Sequence, residues 1–183
     1  MHRSALFSFL AVLLCLLFCT GCPRRETPVD RGIREQVLER GLSADPAELD
    51  PHIITGLSEI NVTSALFEGL IGEDPVDLHP VPGVAENWDA SSDGLVYTFH
   101  LRANAKWSNG DPVTAQDFAN SIRRVLTRTL AADYATMLYV LVNAEAYNKG
   151  TLTDFSRVGV QVIDAHTLRL TLDHPAPYFL SLL

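Results

Sequence analysis

Apolar positions fall first into one long run and then into short patterned stretches. Ala5 to Phe18, "ALFSFLAVLLCLLF", is apolar apart from Ser8. Farther on, Gln36 to Leu42 reads as a short strand, and Asp45-Pro46 and Asp50-Pro51 hold extended backbone after it. In "NVTSALFEGLIG", Val62, Leu66 and Leu70 share a helical face. Asn61 suits the N-cap of that helix, and Gly69 or Gly72 its end. Tyr97, Phe99 and Leu101 alternate with Thr98, His100 and Arg102, which is strand period and puts His100 on the wet face. Ser92-Asp93-Gly94 marks the turn before that strand.

Asn109-Gly110 turns the chain again, and Trp107 is expected to pack over a strand-to-helix corner. Thr114 and Asp117 then form a capping box for a helix in which Phe118, Ile122 and Val125 follow at helical spacing. A second helix runs through "YATMLYVLVNAEAYNKG" to Gly150. Val158, Val160 and Val162, the turn "DAH", and Leu168, Leu170 and Leu172 read as a hairpin. A third helix opens at Pro177. Its apolar residues Phe179, Leu180, Leu182 and Leu183 need a partner surface, and the sequence reads as cut off inside it. Exposure of that face would favour aggregation. Hairpins mixed with helices, without an internal repeat, place the fold in the α+β or α/β class.

The chain has 183 residues and a formal net charge of −8. So acidic a chain has no broad attraction for nucleic acid or anionic lipid. Arg24-Arg25 reads as solvated linker and Arg123-Arg124 as the wet face of a helix. The fourteen-residue apolar run suits a signal-peptide core and is short of the ~20 residues of a membrane span. Thr20 and Gly21 before Cys22 resemble a bacterial lipobox, with Cys19 where Leu is usual. That resemblance implies cleavage before Cys22 and a lipid on its thiol, which makes the membrane a partner through the N-terminus. The alternative is an uncleaved anchor. Both leave the remainder outside the cytoplasmic membrane. Cys15, Cys19 and Cys22 are the only cysteines, so disulfides and Cys-ligated metal are not expected. "PRRETPVDRG" reads as a polar tether.

Catalytic chemistry leaves no signature. There is no G-x-S-x-G and no H-E-x-x-H. The histidines stand apart at positions 2, 52, 79, 100, 166 and 174, and no His/Cys/Asp cluster has metal-ligand spacing. No catalytic residue, metal or cofactor is expected. A secreted hydrolase remains the rival class, and a truncated remnant without function is a third reading.

Six motifs occur in one order: "LDPH" (Leu49 to His52), "LFEGL", "PGVAENW", "YTFHLR", "WSNGDPVTAQDF" and "HPAPYF". Together they resemble the extracellular solute-binding proteins of family 5, and most closely the oligopeptide-binding members. The resemblance implies the N-terminal part of a two-lobed, type II periplasmic-binding-protein-like fold. It implies residues 1–21 as lipoprotein signal, 22–35 as tether, 36–67 as the start of lobe I, and 68–183 as the extra small α+β domain. It further implies extended oligopeptides as ligand and permease subunits of an ABC importer as partners. Thr55, Gly56 and Leu57 would pair their backbone with the peptide, a mode that accepts many side chains. Tyr134 in "ADYATM" would face the ligand, or else pack as a plain tyrosine. His52 and Glu59 read as loop and cap residues. Another solute, such as a nickel chelate, haem or a sugar, is the alternative cargo. Half a cleft buries little ligand, so this chain alone is expected to bind peptide weakly or not at all.

Overall fold

The computed structural model describes residues 26–38 and 40–183. The signal core, Cys22 and Arg24-Arg25 lie outside the described residues. The chain divides into two compact units, one ending at Leu42 and the other running Ser43–Leu183.

In the first unit, the segment read as a tether carries a helix, α1 (Pro28–Glu35). Thr27 and Asp30 close a capping box, and Pro28 sits at the first helical positions, where it loses no hydrogen bond. None of the residues of α1 is buried. The strand expected over Gln36 to Leu42 does not form in its described residues. Gln36 instead takes a left-handed conformation (φ 56°) as the C-cap of α1, and Val37 and Leu38 are exposed.

The second unit begins with loop and then α2 (Leu57–Leu66). Asn61 was the expected N-cap, but it lies inside this helix, which starts at Gly56. Leu66 ends it, so Gly69 and Gly72 do not. A two-stranded ribbon follows, β1 (Ile71–Glu73) with β2 (Pro80–Pro82). Prolines are tolerated there because each strand has a single partner.

The centre of the unit is an antiparallel sheet of β3 (Ala85–Ala90), β4 (Val96–Leu101), β5 (Val160–Asp164) and β6 (Thr167–Thr171), in the order β3-β4-β6-β5. The two alternating hairpin runs match β4 and β5–β6. Gly94 takes φ 69° in the turn before β4. β3 was not expected, because Glu86, Asn87 and Asp89 are poor strand formers. Its register on β4, with a bulge between Ala85 and Asn87, defines it.

α3 (Ala115–Leu126) packs against β5 and β6. Its capping box is present: the N–H and hydroxyl of Thr114 donate to Asp117 Oδ2 at 2.7 and 2.8 Å. Thr114→Ala should cost about 1 kcal/mol, seen as a lower urea midpoint with unchanged slope. Trp107 is 43% exposed, and its backbone N–H closes the turn by donating to Asp111 O at 2.8 Å.

The second expected helix is split. Asp133–Val140 is 3-10, and α4 (Ala144–Asn148) follows after a break. Across the break, Val142 N–H donates to Thr171 O, and Asp173 N–H to Val140 O. Pairing with the end of β6 therefore overrides helix propensity. The last apolar segment also departs from expectation. Phe179–Leu182 is a 3-10 turn, Phe179 is fully buried against Tyr97 (4.9 Å between rings), and Leu180, Leu182 and Leu183 join the core. The exposed apolar face lies instead on α2 and its end, at Leu57, Ile60, Leu66 and Phe67, while Ser58 and Thr63 are buried.

Candidate functional site

The loop carrying "LDPH" is organised by Asp50. Its carbonyl accepts from Ile53 and Ile54, and its Oδ1 accepts from His52 N–H at 3.1 Å. Arg124, on α3, grips the same carboxylate at two points, Nη1 to Oδ1 at 2.8 Å and Nη2 to Oδ2 at 2.5 Å. Arg124 Nη1 also stands 2.6 Å from His52 Nδ1. Arg124 is on the exposed face of the helix, as its sequence suggests, but is paired there with the Asp50 loop. The hydrogen bonds from Arg124 hold the Asp50 carboxyl at about 2, far below its ordinary value. Burial, and then the Arg124 charge, push His52 down, against the pull of Asp50.

The turn delivers the chain through Thr55 to Gly56, which is extended (φ −87°, ψ 150°) at the entry to α2. Thr55 is exposed, and neither Thr55 nor Gly56 donates its N–H to a backbone carbonyl among the described residues. Leu57 is not part of the extended segment. It opens α2 with its side chain 71% exposed, and its N–H is one of the donors a helix start leaves without an intrahelical acceptor. Glu59 fixes this entry. Its carboxylate accepts from Ala47 N–H at 2.9 Å, and a Cβ on Gly56 would meet it at 2.1 Å. The expected cap role of Glu59 is close to this. His52 is a loop residue as expected, with an added partner in Arg124.

Tyr134 lies on the 3-10 segment that packs against α3. It is 46% exposed, and Met137, one 3-10 turn on, is also exposed. α3 thereby touches both candidate regions, the Asp50 loop through Arg124 and the Tyr134 segment by packing. A shallow hollow of ≈ 420 Å³ lies beside that segment, lined in part by Met137, Tyr139, Asp173, His174 and Tyr178. Two of these, His174 and Tyr178, belong to the "HPAPYF" motif.

Sequence spacing missed one cation-compatible trio among the described residues. Asp74, Asp77 and His79 offer ligand atoms within 4.8 Å of one another in the β1–β2 loop. His79 Nδ1 is already 2.5 Å from Asp77 Oδ1, and Asp74 is spent on the loop, accepting from Val76 N–H. His100 is half-buried and 3.0 Å from Asp89, across the β3–β4 hairpin. Among the described residues, no helix is long and apolar enough to cross a membrane.

Residues 79–183 match the model of the bacterial extracellular solute-binding proteins, family 5 Middle. The chain is 46% identical over 153 residues to the periplasmic oligopeptide-binding protein OppA of Escherichia coli, covering 81% of this chain and 27% of that protein. It is 43% identical over 150 residues to the periplasmic murein peptide-binding protein MppA of the same organism, again covering 81% and 27%. The fold superposes on a periplasmic oligopeptide-binding protein of Borrelia burgdorferi with a TM-score of 0.72, at 37% identity, over 76% of this chain and 28% of that one. It superposes on Haemophilus influenzae OppA in complex with the peptide RPPGFSPFR with a TM-score of 0.70, at 39% identity, over 76% and 27%. The chain therefore spans about a quarter of the length of the curated relatives it matches. These neighbours make the mixed α/β architecture a piece of the two-lobed periplasmic binding fold.

Proposed function

The chain belongs to the bacterial extracellular solute-binding proteins of family 5, and from that premise we propose that it takes part in binding extended oligopeptides for an ABC importer. One observation carries this beyond family membership. The Thr55–Leu57 segment offers backbone donors without backbone acceptors, next to a turn held firmly on α3. Unpaired backbone donors, extended at Gly56 and entering α2 at Leu57, are open to pairing with an incoming peptide, a mode that reads shape rather than side chain. The matching H. influenzae protein was crystallised with a peptide, which supports the same ligand class. Tyr134, exposed beside Met137, supplies an amphipathic contact for ligand side chains. The role asks for no bond-breaking chemistry of these residues.

The proposed setting is the cell envelope, outside the cytoplasmic membrane. Cys22 carries a lipid there, residues before it act as the signal, and permease subunits receive the cargo. A small-domain boundary near residues 67 and 68 belongs to the same reading. A second cargo class has one observation behind it: a probable deoxycholate-binding periplasmic protein is 34% identical over 154 residues.

The test is a binding and turnover assay with a mixture of oligopeptides. Saturable binding with every peptide recovered intact is expected. Cleaved product would overturn the reading in favour of a hydrolase, and binding of deoxycholate with no response to peptides would overturn the ligand class. For this chain alone the affinity is expected to be weak, with Kd in the range of ~1 mM, about −4 kcal/mol. Calorimetry showing Kd near ~1 μM would contradict that.

A further inference from the structure

We propose that Arg124 is a positioning residue: with Asp50 and His52 it forms a pH-sensitive clasp that holds the Thr55–Leu57 backbone in place for ligand. The purpose of the clasp rests on the peptide-binding reading above, but its existence does not.

The geometry is specific. A planar guanidinium meets a carboxylate at two points and, with the same Nη1, reaches a histidine nitrogen. Arg124 lies 74 and 72 residues from Asp50 and His52 in sequence, and among the described residues its guanidinium is what joins the Asp50 carboxylate to α3. A lone exposed ion pair contributes little. This one differs because Asp50 also holds the turn itself, through His52 N–H on its side chain and Ile53 N–H on its carbonyl. Moving Asp50 moves the turn, and three residues later the turn becomes the extended segment.

Histidine supplies the pH dependence. Arg124 can only donate, so at 2.6 Å the Nδ1 of His52 must be the acceptor and the ring must be neutral. Among the described residues, the charged groups acting on the ring are Asp50 from its own loop and Arg124 from α3. Protonation would place a cation against the guanidinium and remove the acceptor. The folded value lies below the ordinary 6.5, so the neutral ring is favoured by folding. The clasp is complete above that ordinary value and is lost as pH falls through the lowered one. Asp50 is ionised down to about 2, so it does not titrate in this window.

The test is residue-resolved amide hydrogen exchange on the chain without peptide, corrected for intrinsic rates. Protection at His52, Ile53 and Ile54 is compared with that at Phe99 and Leu168 in the sheet. Arg124→Met is expected to lower the loop protection roughly tenfold near neutral pH while the sheet stays unchanged. Arg124→Lys, which keeps the charge but not the fork, should retain only part of it. Wild-type loop protection should fall on acidification below His52, whereas His52→Gln, which accepts without titrating, should be flat. Equal loss in loop and sheet for Arg124→Met would make the residue merely structural and overturn the proposal. Unchanged loop protection, or the same acid response in His52→Gln, would overturn it too. Peptide is absent from this readout. Failure of peptide binding would therefore sink the functional reading and leave the clasp standing.

Discussion

Phe99→Ala is expected to lower stability by about 3–5 kcal/mol, a large share of the ~5–15 kcal/mol typical of a domain. Phe99 is fully buried in the middle of β4. Its register neighbours are Trp88 on β3 and Leu168 on β6, so it sits where both central ladders meet. Its ring lies 6.4 Å from that of Tyr97, which in turn packs on Phe179. Truncation opens a void that the sheet cannot collapse into, since its backbone is held on both sides. Urea unfolding followed by far-UV circular dichroism measures the loss. Thr98→Ala, one position along on the other face, should cost under ~1 kcal/mol by comparison. If Phe99→Ala were as mild as that, the core would not be organised around β4.

Gly159→Ala comes second, at roughly 2–4 kcal/mol, from overpacking and the loss of several backbone hydrogen bonds. A Cβ at position 159 would lie 2.1 Å from Thr171 O and 3.1 Å from Val142 N. Both are backbone atoms, so no side-chain rotation relieves the contact. The three segments are mutually bonded: Gly159 N–H to Val142 O, Val142 N–H to Thr171 O, and Thr171 N–H to Gly159 O. Separating one pair strains the others. Thermal unfolding should show a lower Tm together with faster amide exchange at Val142 and Thr171. Wild-type exchange at those amides in the variant would contradict the account.

These two positions differ in how far sequence alone could reach them. Phe99 stood in a clean alternation and was legible as a core strand residue. The glycine did not, because its role depends on two segments distant in the chain. The same division holds elsewhere. The Thr114–Asp117 box and the β5–β6 hairpin depend on neighbours and were readable. β3 depends on its register with β4, and the split of the second helix depends on the end of β6, so neither carried a local signal. α2 was misplaced because its N-cap glycine has no side chain, and because it buries Ser58 and Thr63 while showing leucines to solvent. At the candidate site, Thr55 and Gly56 came from motif resemblance, and the structure added the unpaired amides. Arg124 was hidden, since an arginine pair near a helix end looks like solvated surface until the Asp50 loop is seen beside it.

Peptide is expected to dock along the Thr55–Leu57 backbone. An NMR titration tests this on the isotope-labelled chain, with a short unmodified peptide taken several-fold above the expected Kd of ~1 mM. The account predicts saturable shifts of the Thr55, Gly56 and Leu57 amides, accompanied by Tyr134, with little change at β5 and β6. Saturable shifts centred on the Asp173–Tyr178 hollow, with Thr55 to Leu57 unmoved, would contradict it.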